Sequence, residues 1–299
     1  MMRTRELGGR GSGISVIGYG GWEAGGGYYG DNPPDEQMIA AMRAGFDAGI
    51  NWVDTAEAYG AGRSEELVAK AIEDYGDVFV ATKVVMKPFG SGIDAAGIRT
   101  GADQSRRRLR RDVLDLYQLH LPDASVPIEE SWEAMARLVD DGAVGHIGVS
   151  NFPLELVQRC ERLRHVDTVQ LHFSLLYRDD YRELQPFCEE NDIAILAYGP
   201  LGFGVLTGTM TADTRFPDND WRSGGVPVPV PLHEQIFAPK GLRAAPGCGG
   251  RASSRRRAQR PDPCSVGARL DRRATRGDGS HRRLTFRGPD ARRRRSGRD

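Results

Sequence analysis

An α/β fold of the (β/α)8 TIM-type barrel class is what this 299-residue sequence predicts, on three observations. Short apolar runs recur along the first 200 residues, helical patterns with recognisable ends separate them, and the runs start about 20 to 36 residues apart. That spacing is the scale of successive βαβ units, and the length suits one barrel of about 250 residues. An open dinucleotide-binding sheet is disfavoured: no GxGxxG follows the first run with an acid about 20 residues later.

The runs are ISVIGYG (14–20), INWVD (50–54), VFVATK (78–83), VLDLYQLH (113–120), GHIGVSN (145–151), VDTVQLHF (166–173) and IAILAYG (193–199). None alternates cleanly between apolar and polar, which is how strands buried on both faces read. Between them, Ile39, Met42 and Phe46 step by three and four, with Asp35 as expected N-cap and Gly49 as stop. Ser64 is the expected cap of a helix carrying Leu67, Val68, Ala71 and Ile72, with Glu65 and Glu66 suited to its N-terminal dipole. Ile128, Trp132, Met135 and Val139 form a third stripe closed by Gly142. Core packing accounts for all three stripes. The stretch MRTRELGGRGSG ahead of the first run is expected to be a small hairpin closing the barrel floor.

A formal charge of zero hides a split. Residues 1–240 hold 23 Lys and Arg against 36 Asp and Glu, whereas residues 241–299 hold 18 Arg, no Lys and 5 Asp. The four cysteines, Cys160, Cys188, Cys248 and Cys264, form no CxxC pair and read as free thiols of a reducing compartment. The start lacks the apolar core of a signal peptide, and no run approaches the ~18 apolar residues of a membrane span. The expectation is a cytoplasmic protein without a membrane partner.

In a parallel barrel, side chains that act on substrates project from the C-terminal ends of the strands. The second run ends on Asp54, the third on Lys83 and the fourth on His120, with Tyr59 in the loop just past Asp54. Singly, each has an ordinary reading: turn former, solvated lysine, loop hydrogen bond, packing ring. Jointly, four titratable groups converge on one rim. A free phenol, with a pKa near 10, is a poor proton donor at neutral pH. An adjacent ammonium would lower that value, and Asp54 would keep Lys83 charged and oriented. His120 would then hydrogen-bond a substrate carbonyl oxygen, which suits carbonyl reduction.

At these residues the sequence resembles the aldo/keto reductases, NADPH-dependent enzymes on a (β/α)8 barrel. DTAEAYG, ATK, DLYQLHLPD, GHIGVSNF and YGPLGFGVLTG match the family's motifs in order, over about residues 3 to 222. The resemblance implies that Asp54, Tyr59, Lys83 and His120 form the catalytic tetrad, with Tyr59 as general acid and hydride arriving from NADPH. It also implies cofactor contacts. Ser150, Asn151 and Gln170 match the residues that hold the nicotinamide carboxamide, Tyr198 the aromatic that stacks on the nicotinamide, and Gly199, Pro200, Leu201 and Gly202 the loop over the pyrophosphate. Gly21 and Trp22 match a first loop bordering cofactor and substrate, and Asp54 is counted with the cofactor contacts as well. Two departures stand out: Gly145 where a basic residue is frequent, and His172 where an amide side chain is common.

The chain is expected to divide at residue 222 into a reductase-like barrel (1–222) and a tail (223–299). An eighth unit should begin near residue 225, where GGVPVPVPLHEQIFAPK makes a poor central strand because its prolines remove ladder donors. The Arg-rich remainder lacks the apolar surface to order itself, and nothing in it matches the family's adenosine 2′-phosphate site. It reads as an out-of-frame translation of GC-rich codons, or as a basic arm for nucleic acid. The second is disfavoured, because phosphate contact alone does not exclude lysine. The expected partner is a small carbonyl substrate. Two rivals remain: a catalytically impaired cofactor-binding barrel, and a Schiff-base lyase using Lys83, which Asp54 opposes by keeping the lysine protonated.

Overall fold

The structure is a computed structural model that describes residues 2–8, 13–85, 94–211, 213–224 and 237. It opens with an antiparallel hairpin, β1 (Thr4–Glu6) and β2 (Gly13–Ser15), in which Arg5 faces Ile14. Seven parallel strands follow in chain order: β3 (Tyr19–Gly20), β4 (Trp52–Asp54), β5 (Phe79–Val84), β6 (Leu114–Leu119), β7 (Val144–Ser150), β8 (Thr168–His172) and β9 (Ala194–Tyr198). Helices α1 (Trp22–Gly25), α2 (Asp35–Asp47), α3 (Arg63–Ile72), α4 (Ala95–Leu109), α5 (Ile128–Asp140), α6 (Leu154–Leu163) and α7 (Asp179–Glu190) alternate with the strands. The sheet curls into a TIM-type barrel. Asp54 on β4 accepts a hydrogen bond from Gln170 on β8 at 2.8 Å, across four steps of strand order; a flat sheet would hold those strands about 19 Å apart.

The interior is layered. Leu7 and Ile14 of the hairpin region pack with Ala81, Leu116 and Leu196 as an apolar floor. Above it the Thr168 hydroxyl donates to Gln118 Oε1 at 3.3 Å. The polar ends of β4, β5 and β8 form the top. Outside the ring, Met42, Leu67, Val68, Ile98, Trp132, Met135 and Val157 seal the helices onto the strands.

The expected hairpin is present, but it takes half of the first run. Residues 14–15 pair with β1, and only Tyr19 and Gly20 enter the barrel. Gly18 marks the break, since a Cβ there would fall on the Trp52 indole. Gly49 and Gly142 stop their helices as expected, at φ of 95° and 72°. Both expected side-chain caps are corrected. Asp35 is the first residue of α2 and accepts from Arg63 Nη2 at 2.5 Å, while the cap position is Pro34. Ser64 lies inside α3, whose cap is Gly62 in the left-handed region. Its buried hydroxyl donates to the Gly21 carbonyl at 2.7 Å and accepts from Thr55 at 2.8 Å. In both cases a tertiary partner outcompetes the local cap.

Residues 225–236 and 238–299, where the eighth unit and the Arg-rich tail are expected, lie outside the described residues. Phe237 is buried against Trp221 at 5.3 Å between ring centroids. Among the described residues no helix is long and apolar enough to cross a membrane, and no His/Cys/Asp/Glu cluster is arranged to hold a metal. Cys160 and Cys188 are free and buried, and burial pushes each thiol up to about 12; Cys248 and Cys264 lie in the undescribed part.

Candidate active site

Strand ends and one tight turn bring the four expected catalytic side chains together. Lys83 is fully buried near the end of β5, and its Nζ donates to Asp54 Oδ2 at 2.6 Å and to the Thr55 carbonyl at 2.8 Å. The Tyr59 hydroxyl stands 3.4 Å from the same Nζ. His120 follows β6, and its ring meets Tyr59 edge-on at 5.5 Å and 78°. Its Nδ1 is buried with no hydrogen-bond partner among the described residues.

The turn carrying Tyr59 is fixed by a close backbone approach to α1. A Cβ on Gly25 would lie 2.6 Å from the Tyr59 carbonyl carbon, and one on Gly60 would collide with the Gly25 carbonyl oxygen. Gly21 is equally confined: its amide donates to the Asp54 carbonyl at 2.7 Å, and a Cβ would lie 2.8 Å from that oxygen and from Ser64 Oγ. The Ser64 hydroxyl, read from the sequence as a cap, thus helps hold the loop beside Asp54.

Electrostatics depart from expectation at one point. The ammonium does not pull the phenol down. Burial first, then the Asp54 charge, then the Tyr28 hydroxyl push Tyr59 well above its ordinary value near 10. The geometry gives the reason: the carboxylate holds the ammonium at 2.6 Å, so the phenol faces a nearly neutral pair in a low-dielectric pocket. Burial lowers Lys83 against the opposing pull of Asp54. Burial, and then the Lys83 charge, push His120 well below 6.5, which leaves a neutral imidazole.

The expected cofactor residues adjoin this group. Ser150 and Gln170 are paired across β7 and β8. Gln170 Nε2 donates to Asp54 Oδ1 at 2.8 Å. Asn151, at φ 61°, donates from Nδ2 to Ser150 Oγ at 3.0 Å and to the His120 carbonyl at 3.2 Å. The Tyr198 hydroxyl donates to Asn151 Oδ1 at 2.7 Å. After Tyr198 comes the loop Gly199-Pro200-Leu201-Gly202. Gly199, Gly202 and Gly204 have φ of 63°, 58° and 102°, and a Cβ on Gly199 would lie 3.0 Å from both the His172 and Phe203 rings. Trp22 borders the opposite side within an aromatic wall of Tyr28, Tyr29, Phe203 and Trp221, at centroid distances of 5.2 to 6.3 Å. Thr55 and Trp221 are site neighbours that residue type and spacing do not mark, and Phe203 lies within the YGPLGFGVLTG motif without a role of its own. The Thr55 contact is a backbone carbonyl and leaves no trace in residue type, whereas Trp221 and Phe203 were visible as aromatics without a known neighbour.

The model of the Aldo/keto reductase family matches residues 16–243. The chain belongs to the aldo/keto reductase family. The match starts after the floor hairpin and continues past the boundary drawn at residue 222. Aldo-keto reductase YhdN of Bacillus subtilis is 39% identical to this family member over 216 residues, covering 70% of the chain. The chain spans only 65% of the length of that curated relative. Among solved structures, the glycerol dehydrogenase AKR11B4 from Gluconobacter oxydans superposes with a TM-score of 0.76 at 29% identity, covering 90% of this chain and 82% of its own. An aldo-keto reductase from Klebsiella pneumoniae, solved in complex with NADPH, is 32% identical with a TM-score of 0.59, covering 68% of this chain and 70% of its own.

Proposed function

We propose that the chain is an NADP-dependent oxidoreductase that reduces a small aldehyde or ketone to the alcohol, with Tyr59 as general acid. One observation carries this reading: the Tyr59 hydroxyl, Lys83 Nζ and the Asp54 carboxylate form one contact chain of 3.4 and 2.6 Å, with His120 at its edge. The Klebsiella relative's complex with NADPH supports the choice of cofactor. So does the fit of this chain's own residues. Asn151, Gln170 and Ser150 offer amide and hydroxyl groups side by side at the barrel rim, and the Gly199–Gly204 loop leaves no room for side chains at two of its turns, since a Cβ on Gly199 or Gly204 would crowd His172 or Met210.

Bound NADPH would supply the hydride. The resting phenol is protonated at neutral pH, so Tyr59 has the proton that the developing alkoxide requires, while its raised value makes it a weaker acid than the lowered phenol expected from the sequence. Lys83 keeps a positive charge beside that oxygen, and Asp54 and the Thr55 carbonyl fix its position. Neutral His120 orients the carbonyl by hydrogen bonding. Trp22, packed against Tyr28 and Trp221, stands 6.5 Å from the Tyr59 ring between centroids. Cys160 and Cys188 are free thiols, in keeping with a cytoplasmic setting.

Tyr59→Phe is expected to lower aldehyde-dependent NADPH oxidation about 10²- to 10⁴-fold while NADPH still binds. An unaffected variant removes Tyr59 from its role. The impaired-barrel reading draws on residues 223–299, where the sequence offers a poor eighth strand and no match to the family's adenosine 2′-phosphate site. A calorimetric titration separates the two: stoichiometric, tight NADPH binding contradicts impairment. The Schiff-base reading gains from the lowered Lys83 but loses to the carboxylate 2.6 Å away. Borohydride trapping of a substrate adduct on Lys83 would restore it.

A further inference from the structure

Where the resemblance implies an amide side chain this chain carries His172, and its surroundings do not satisfy an imidazole in the ordinary way. It is 2% exposed, and neither ring nitrogen has a hydrogen-bond partner among the described residues. Leaving such polar atoms buried and unpaired is costly. Its faces, in contrast, are in contact. The Tyr177 ring stacks on it at 5.3 Å and 11°, and the Tyr198 ring at 5.4 Å and 26°. Phe203 leans on it at 5.2 Å and 31°. All three distances fall in the range favoured by aromatic pairs.

The outer rings of this column are tethered. Tyr177 donates its hydroxyl to Asp180 Oδ1 at 2.7 Å, and Tyr198 donates to Asn151 Oδ1 at 2.7 Å. His172 is the register partner of Tyr198 on the neighbouring strand, so its position is set by the barrel itself. Gly199 turns over its edge at φ 63°, where a Cβ would lie 3.0 and 3.1 Å from imidazole atoms. The structural consequence is a ring stacked on Tyr198.

We propose that His172 is a positioning residue for the nicotinamide: stacked on Tyr177 and Tyr198, it sets the plane of the Tyr198 ring on which the nicotinamide would rest. The proposal depends on the reading above that Tyr198 faces the cofactor. Among the groups around the imidazole, burial dominates and lowers it to about 4, against weaker opposite pulls from the nearby Gly199 carbonyl, which does not meet hydrogen-bond geometry, and from Asp180. The ring is consequently neutral at working pH. That matters because an imidazolium stacked on Tyr198 would repel the cationic ring of the oxidised cofactor.

The test compares His172→Ala, His172→Phe, Tyr198→Ala and the double alanine variant in the full chain. Dissociation constants for NADPH would come from fluorescence titration, and kcat and KM from carbonyl reduction. His172→Ala should weaken NADPH about five- to tenfold, the size of one lost stacking pair, with the KM for the carbonyl unchanged. His172→Phe, which keeps a ring without nitrogens, should stay within twofold of the original chain. The double variant should bind no more weakly than Tyr198→Ala alone, because the two act as a unit. An independent readout needs no cofactor: the His172 imidazole carbon-bound protons should be shifted upfield by the flanking rings in the free chain, and less so in Tyr198→Ala. Weakening by Tyr198→Ala without weakening by His172→Ala overturns the proposal and leaves the functional reading intact. Failure of His172→Phe to restore binding, or unshifted imidazole protons, also overturns it. If the unaltered chain binds no NADPH, both readings fall.

Discussion

Lys83 is fully buried, yet it keeps a carboxylate at 2.6 Å and a backbone carbonyl at 2.8 Å. Removing it strands Asp54, whose other oxygen is held by Gln170. Lys83→Met is thus expected to abolish carbonyl reduction and to cost about 3 kcal/mol of stability, read from urea unfolding. At the same scale the pH profile has a definite sign. The Tyr59 proton is released only well above 10, so kcat for reduction should be level between pH 6 and 9, and the reverse oxidation should climb with pH as phenolate forms. A reduction limb that falls near pH 7 contradicts this. For His172 the folded value near 4 lies below the unfolded value near 6.5. Its contribution is therefore present above 6.5 and lost as pH falls toward 4, on the order of 3 kcal/mol. Stability measured against pH should show a shallower acid decline in His172→Phe.

Elements meet the site through backbones as well as side chains. The Gly25–Gly60 approach clamps α1 onto the turn that carries Tyr59, and Gly60 also adopts φ 64°. Gly60→Ala should therefore displace Tyr59 relative to Lys83, lowering kcat at least tenfold. Its melting temperature should drop by only a few degrees, since the strain is confined to one turn. A variant with full kcat would show that the clamp is dispensable. Helix α4 illustrates the same economy of space: a Cβ on Gly101 would lie 2.8 Å from the Tyr117 hydroxyl and 2.9 Å from Val84, so this helix rests directly on β5 and β6. The caps show how an element can be legible while its end is not. The apolar stripes of α2, α3 and α5 were readable because periodicity is a local property. Asp35 and Ser64 were misassigned because their polar atoms serve Arg63 and Gly21, residues distant in sequence.

Across the molecule, the barrel interior passes from an apolar floor through the Gln118–Thr168 layer to the ionised rim. The floor hairpin closes the end opposite the site, so it should govern stability and not chemistry. Leu7, with no exposed surface, packs in the floor cluster with Ala81, Leu116 and Leu196. Leu7→Ala is expected to destabilise by about 2–5 kcal/mol with kcat within twofold of the original chain. A comparable loss of kcat would mean that floor and rim are coupled through the middle layer.

The sequence by itself determined the barrel class, the order of its strands and the identity of the four side chains at the rim. Strand spacing and the residue at each strand end are written along the chain and survive any packing. The tertiary structure alone decided that the first run divides between floor and wall, that burial and Asp54 raise the phenol instead of the ammonium lowering it, and that His172 is enclosed by aromatic rings. Each of these depends on which distant group comes within a few ångströms, and on the dielectric that burial creates there, neither of which is a property of any segment taken alone.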